Sequence, residues 1–351
     1  MASNAAPAGD NPILSDATAQ ATPAAAPTSS WWPRVRRWLV PLFGLLVLGL
    51  LASHAHKIDW AGAWDALKRY PPLLLLSALG LATASHVLYG VFDLIGRHHT
   101  GHHLAAWRTW SIAVSSYAFN LNLGSLVGGV ALRARLYNRA GLHETTIAQV
   151  VGISLATNWL GYGLLAGGLF ASGVIAPPKQ AHISEAAFHA LGVGMILLAV
   201  FYVVACAIWR GREWQVRGRK VQLPSAGVAV FQLTVSATNW ALMGGVMFLL
   251  LQGKVSYGTT LAVLMTASVV GVVMPIPGGL GILEAVYLAM LSGSVKQGAL
   301  MGAVMAYRAL YYLVPLAGGL VLYAVLEKYA AAHPAQNAEG DVAGTSPAPA
   351  T

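Results

Sequence analysis

Long apolar runs, separated by short polar or basic stretches, cover most of the chain. A helix that crosses a bilayer needs about 20 largely apolar residues. The runs that reach or approach this length occupy residues 38–53, 72–92, 110–130, 147–175, 186–209, 227–251, 261–291 and 300–326. This pattern predicts an all-α polytopic membrane domain over residues 31–330. The flanking residues 1–30 and 331–351 lack apolar periodicity, so both are expected to be disordered tails.

The run 261–291 is broken near its middle. Two prolines and three glycines interrupt it, at Pro275, Pro277, Gly278, Gly279 and Gly281. Proline removes a backbone donor, and glycine adopts conformations that other residues avoid, so a continuous helix must end here. Non-helical backbone at membrane depth is tolerated only where protein buries it or where it lines a watery cavity. The break is therefore a candidate binding site.

Basic residues indicate which loops are cytoplasmic, because short cytoplasmic loops are enriched in Lys and Arg. Arg37 precedes the first run, Arg108 follows the second, and the densest basic stretch is 210–220. Three runs lie between Arg108 and that stretch, and three full crossings would place it outside. The conflict disappears if 110–130 is a re-entrant hairpin that enters from the cytoplasm and returns.

The broken run 261–291 then becomes a second re-entrant hairpin, entering from the opposite side. The expected architecture is six full transmembrane helices plus two hairpins, with both termini cytoplasmic. An offset of 151 residues relates Gly128 to Gly279 and Arg133 to Glu284, which fits an inverted-topology repeat. Coincidence among 38 glycines is the alternative that the sequence leaves open.

Composition narrows the classes of function. Charged residues make up 9% of the chain and hydrophobic residues 56%, against about 25% charged residues in soluble domains. The net charge of +9 lies in short loops between apolar runs, so no nucleic-acid partner is expected. The single Cys206 excludes an intramolecular disulfide. The loops hold no catalytic constellation and no nucleotide-binding loop, so no catalytic residue, metal or cofactor is expected.

Two charged residues lie deep inside apolar runs. Glu284 follows the break, and Arg308 lies in the last run. Each would be costly alone in lipid, so each is the natural partner of the other. The sequence leaves two interpretations of this pair open: an ion pair that locks two helices together, and a pair that contacts cargo. Near the first hairpin, Asn120 and Asn122 could line a head-group cavity.

The motif Pro275-x-Pro277-Gly278-Gly279-x-Gly281-x-x-Glu284, followed by Ala306-Tyr307-Arg308, resembles the lysylphosphatidylglycerol synthase transmembrane-region family. The stretch from Phe119 through Arg133 and Arg135 is similar to the upstream part of that family, and the likeness covers roughly residues 33–327. The chain lacks the soluble aminoacyl-transferase domain of bifunctional members, which implies a stand-alone member that does not make lysyl-lipid. No acidic residue accompanies Gly128 and Gly129, so the resemblance does not imply lysyl-lipid as cargo.

The resemblance implies a flippase-like lipid translocase that moves a phospholipid or lipid-linked head group between leaflets. A membrane enzyme acting on lipid and a non-catalytic scaffold of a lipid-synthesis complex are the alternatives. The expected binding residues are Pro275, Pro277, Gly278, Gly279, Gly281, Glu284, Arg308, Asn120, Asn122 and Arg133. The expected partner is a membrane phospholipid with an anionic head group, and a homodimer is left open. The expected location is the bacterial inner membrane.

Overall fold

The computed structural model describes residues 64–65, 67–174, 184–210, 212–216, 219–273 and 279–333, with the backbone alone at 213–216 and 219–221. The helices are α1 (Pro72–Thr100), α2 (Ala106–Leu123), α3 (Leu132–Arg139), α4 (Glu144–Ala171), α5 (Glu185–Ile208), α6 (Ala226–Leu250), α7 (Tyr257–Val273), α8 (Ile282–Leu291), α9 (Gln297–Tyr307) and α10 (Val314–Ala332). Both predicted tails and the predicted first span lie outside the described residues, except that α10 continues to Ala332.

Five helical segments of the described chain are long and apolar enough to cross a membrane. They are α1, α4, α5, α6 and the continuous segment Gln297–Ala332 that joins α9 to α10. Each coincides with one of the predicted full crossings. The helices α7 and α8 are apolar but shorter. The chain is thus a predominantly helical membrane protein, as predicted.

The basic stretch after α5 adds one element that the sequence pattern did not predict. Strand β1 (Glu213–Val216) pairs antiparallel with β2 (Arg219–Gln222), with Glu213 opposite Gln222. This β-hairpin lies between α5 and α6, and the apolar segments on either side of it remain helical.

Helix α1 packs against α2, α4 and α6, and α10 packs against α2. At the edge of this bundle, α5 exposes large apolar side chains, including Leu197, Leu198 and Ile208 at 62%, 67% and 68%. Such a continuous exposed apolar face is stable only against lipid or another apolar surface. Helix α2, by contrast, contains three serines and two asparagines and is mostly buried within protein.

Two segments reverse direction within the fold. Helix α2 ends at Gly124, whose φ of +88° is left-handed, and a π-helix over Ser125–Ala131 leads into α3. A Cβ at Gly128 would collide with the backbone of Phe119 and Asn120, so the reversal depends on glycine there. The second reversal lies between α7 and α8, where Tyr287 of α8 donates to the Thr260 carbonyl near the start of α7 at 3.2 Å.

Close packing of α4 against α6 depends on a second glycine. A Cβ at Gly161 would lie 2.6 Å from the Ala237 backbone nitrogen and would also collide with Ser236, whereas a Cβ at Gly163 meets nothing within 4 Å. We expect Gly161→Ala to cost about 1–3 kcal/mol of stability through overpacking. Gly163→Ala, the matched control, should be neutral. Thermal unfolding in detergent checks this, and equal melting temperatures for the two variants would contradict it.

Candidate functional site

The predicted pairing of Glu284 with Arg308 is confirmed. Helix α8 begins directly after Gly281, which places Glu284 in its first turn. Arg308 Nε donates to Glu284 Oε1 at 2.6 Å, and Arg308 Nη2 donates to Oε2 at 2.9 Å. This two-pronged geometry is the strong form of an arginine–carboxylate contact. The side chains are 11% and 13% exposed for Arg308 and Glu284, so the pair is shielded but not sealed.

Arg308 also holds the glycine break in place. Its Nη2 donates to the Gly279 carbonyl at 2.7 Å, and its guanidinium lies 5.6 Å from the ring centre of Tyr312. Gly279 and Gly281 have φ values of +56° and +85°. The irregular backbone, the cation and the carboxylate therefore form one unit. Pro275, Pro277 and Gly278 lie outside the described residues.

A π-helix over Arg308–Leu313 separates α9 from α10. Pro315 follows it within the first turn of α10. Because proline cannot donate to the carbonyl of Tyr311 and clashes with it, the preceding turn widens. Such wide turns inside helices are frequent at functional sites. Here the wide turn carries Arg308 and Tyr311 into the protein, and both are buried.

The end of α2 reaches the same wide turn. Asn122 Nδ2 donates to the Ala118 carbonyl at 2.9 Å and to the Tyr312 carbonyl at 3.1 Å. The predicted residue Asn122 therefore lies beside the Arg308 segment. Asn120 is half-buried, and its carbonyl accepts the Gly124 backbone N–H at 2.9 Å. This backbone bond lies where α2 ends and the first reversal begins.

Arg133 belongs to a second ion pair. Its Nε lies 3.4 Å from Asp93 Oδ2, and the two side chains are 2% and 0% exposed. Tyr137 donates to the same carboxylate oxygen at 2.6 Å, and Arg133 donates to Ser154 at 3.2 Å. This pair is sealed inside protein, which favours a structural role for Arg133 over the predicted contact with cargo.

Asp93, one residue beyond the predicted run 72–92, is fully buried. The apolar run was taken to end at Phe92, but α1 continues to Thr100. The missed signal is a buried stripe of polar side chains on one face of α1, at His86, Tyr89 and Asp93. Their spacing of three and four residues is that of one helix face.

Tyrosines connect the two ion pairs, and the sequence interpretation missed this as well. The Tyr89 ring, 5.6 Å from the Arg133 guanidinium, stacks on Tyr117 at 3.7 Å. The Tyr117 and Tyr311 hydroxyls are 3.0 Å apart. Tyr311 stacks in turn on Tyr307, next to Arg308, at 5.2 Å. The spacing of Tyr307 and Tyr311, one helical turn apart, was the available signal.

The positive φ angles of Gly279 and Gly281 can be tested by substitution. A Cβ at Gly279, Gly281 or Gly271 meets nothing within 4 Å, but only the first two have positive φ. Gly281→Val should therefore cost about 1–3 kcal/mol through backbone strain, and Gly271→Val should not. SDS unfolding in mixed micelles measures this. Equal stability of Gly281→Val and Gly271→Val would contradict the strained-backbone interpretation.

Within the described residues, no group of three or more His, Cys, Asp or Glu side chains is arranged to hold a metal ion. A third ionic cluster lies away from the break, at the end of α3. Arg135 and Arg139 contact Glu327 of α10 at 3.1 and 2.8 Å. The cluster anchors the first reversal to the last helix.

Comparison with known proteins identifies the family of the chain. The family model described as lysylphosphatidylglycerol synthase TM region matches residues 38–319. The inner membrane protein YbhN of Escherichia coli is 39% identical over 258 residues, which are 74% of this chain and 81% of that protein. The uncharacterized protein slr0712 of Synechocystis is 24% identical over 268 residues, 73% and 82% of the two chains. The matched region includes both reversals, both ion pairs and most of the last apolar segment, and the chain belongs to the lysylphosphatidylglycerol synthase transmembrane-region family.

Proposed function

We propose that this protein is a lipid translocase, which moves a phospholipid or a lipid-linked head group between the leaflets of the inner membrane. The observation that carries the proposal is the Arg308–Glu284 pair, held against the Gly279 carbonyl among apolar helices. Ionisable groups inside membrane-spanning segments are rare and usually functional. Broken membrane helices are where many transporters bind substrate.

The chemistry of the pair suits an anionic head group. A phosphate presents the same two adjacent acceptor oxygens to a guanidinium as a carboxylate does. A lipid phosphate can therefore take the place of Glu284 on Arg308 without loss of the two-pronged geometry. The partial exposure of the pair, 11% and 13%, is consistent with such an exchange, whereas the Asp93–Arg133 pair is closed to it.

Similar contacts in the two reversals support the same proposal. In the first reversal, the Tyr137 oxygen on α3 lies 3.5 Å from the Thr109 carbonyl near the start of α2. In the second, Tyr287 on α8 donates to the Thr260 carbonyl on α7 at 3.2 Å, and the two tyrosines are 150 residues apart, one fewer than the offset of 151. Thr109 and Thr260 are separated by the offset of 151 that relates Gly128 to Gly279. We propose that the two reversals are re-entrant hairpins from opposite sides, with both termini cytoplasmic.

Cysteine labelling tests this topology. With the buried Cys206 replaced by Ala, we expect Asn138→Cys, after the first hairpin, to react with a membrane-impermeant maleimide only from the cytoplasmic side. Ser292→Cys, after the second hairpin, should react only from outside. Both positions are exposed in the fold, so each should label readily. Reaction of both from the same side would contradict opposed hairpins and the inverted repeat with them.

Leaflet exchange in liposomes tests the function itself. The purified full-length protein should speed the movement of fluorescently labelled phosphatidylglycerol between leaflets, measured by quenching of the outer-leaflet label. Protein-free liposomes give the background rate. Labelled phosphatidylcholine shows whether the head group must be anionic. Exchange no faster than the background for either lipid would contradict the proposal, and a new lipid product would point to the membrane-enzyme alternative.

A further inference from the structure

A histidine lies at the midpoint of α1 among buried tyrosines. His86 is 5% exposed, and its Nδ1 lies 2.9 Å from the Ala82 carbonyl one turn earlier. A carbonyl only accepts, so Nδ1 carries the hydrogen, and Nε2 of the neutral ring is a bare acceptor. Nε2 is buried and has no hydrogen-bond partner among the described residues. The Nε2 lone pair therefore accepts no hydrogen bond from any described residue.

Two tyrosine rings flank the histidine ring. The His86 ring centre lies 5.0 Å from that of Tyr117 on α2 and 4.8 Å from that of Tyr311 in the second π-helix. A cation within about 6 Å of an aromatic ring centre is attracted to the ring face. These tyrosines are the titratable groups that the described contacts bring against the ring. No carboxylate or cation contacts it in the part of the chain that the structure describes.

Tyr311, which contacts this ring, belongs to the same π-helix as Arg308. The Tyr311 hydroxyl lies 2.7 Å from Ser85 Oγ, and Ser85 donates to Asn239 Oδ1 at 2.8 Å. Tyr311 stacks on Tyr307, whose hydroxyl is buried with no partner among the described residues. Tyr307 immediately precedes Arg308 in the chain. A change of charge at His86 is therefore adjacent to the wide turn that holds the candidate site.

We propose that His86 binds a proton during transport, so that lipid movement is coupled to a proton gradient. Water supplies the proton: a hydronium ion gives it to the Nε2 lone pair and leaves as water, while the Nδ1–H bond stays intact. The resulting imidazolium lies beside the tilted rings of Tyr117 and Tyr311. This inference rests on the proposed translocase function for its coupling, but the proton-binding site itself can be tested without transport.

Nuclear magnetic resonance of the full-length protein with nitrogen-15 histidine tests the site. The His86 signals are identified by their loss in His86→Gln, with His189→Gln, at an exposed position of α5, as the matched control. We expect His86 to show the Nδ1–H tautomer at high pH and a doubly protonated ring on acidification. A ring that keeps one tautomer throughout the pH range of the folded protein would overturn the proposal.

Transport with and without a pH gradient tests the coupling. At one proton per lipid, a gradient of one pH unit drives up to about a tenfold leaflet asymmetry of labelled phosphatidylglycerol. Wild type and His189→Gln should show this asymmetry, whereas His86→Gln should exchange lipid without it. A gradient response in His86→Gln equal to wild type would overturn the proposal. If wild type exchanges no lipid under any condition, the translocase function fails, and the resonance experiment still decides whether His86 binds a proton.

Discussion

Arg308→Gln should lower the free energy of unfolding by about 3–5 kcal/mol, because it leaves the Glu284 carboxylate buried without its partner. Glu284→Gln should have a similar effect through Arg308. The double variant removes both charges, so it should be more stable than the sum of the single losses predicts. Unfolding of all four proteins by SDS in mixed micelles measures the coupling. Strictly additive losses would contradict the pairing as a stabilising interaction.

The same double variant separates structure from transport. If Arg308 binds a lipid phosphate, as we propose, Glu284→Gln with Arg308→Gln should fold but should not exchange phosphatidylglycerol faster than protein-free liposomes. Recovery of both folding and exchange in the double variant would assign the pair to structure alone. Arg308→Lys is a useful companion, because it keeps the charge but loses the two-pronged contact. We expect it to exchange lipid more slowly than wild type.

Asp93→Asn should be as destabilising as Arg308→Gln, by about 3–5 kcal/mol, since Arg133 would remain buried at 2% exposure without a counter-charge. Here the expected outcome for transport is the opposite. Asp93→Asn combined with Arg133→Gln should recover stability and lipid exchange together, because this pair is sealed from the candidate site. The same unfolding and exchange assays measure both quantities.

The two double variants therefore act as controls for each other. Each removes one buried acid and one buried arginine from the interior, so nonspecific effects of lost charge should be alike. If the Asp93–Arg133 double variant folds and fails to exchange lipid, Arg133 acts in transport, as the sequence alone predicted. That result would contradict the structural role favoured by its burial.

Much of the fold follows from local chemistry that a sequence displays. Apolar runs long enough to cross a bilayer predict helices, and the prolines and glycines after Met274 predict a break, since neither prediction depends on distant residues. The pairing of Glu284 with Arg308 was also predictable. Each is an isolated charge in an apolar run, and burial leaves such charges few partners.

Other features depend on which helix faces meet. Asp93 and Arg133 are 40 positions apart. The apolar run predicted from hydropathy stops at Phe92, so the sequence did not show that Asp93 lies in a helix and is buried. Tyrosine counts as an apolar residue in a periodicity pattern, so the contacts of Tyr117 with Tyr311 and of both with His86 left no signal. The bond from Asn122 to Tyr312 likewise joins segments 190 positions apart.

The amino-acid sequence by itself determined where helices form, where the chain must break and which charges need a partner, because these depend on backbone chemistry and on the cost of charge in an apolar medium. Only the tertiary structure decided that one ion pair is sealed and the other partly exposed, and that tyrosines connect them. Exposure and contact are properties of packed helix faces, and many packings are compatible with the same pattern of apolar positions along a chain.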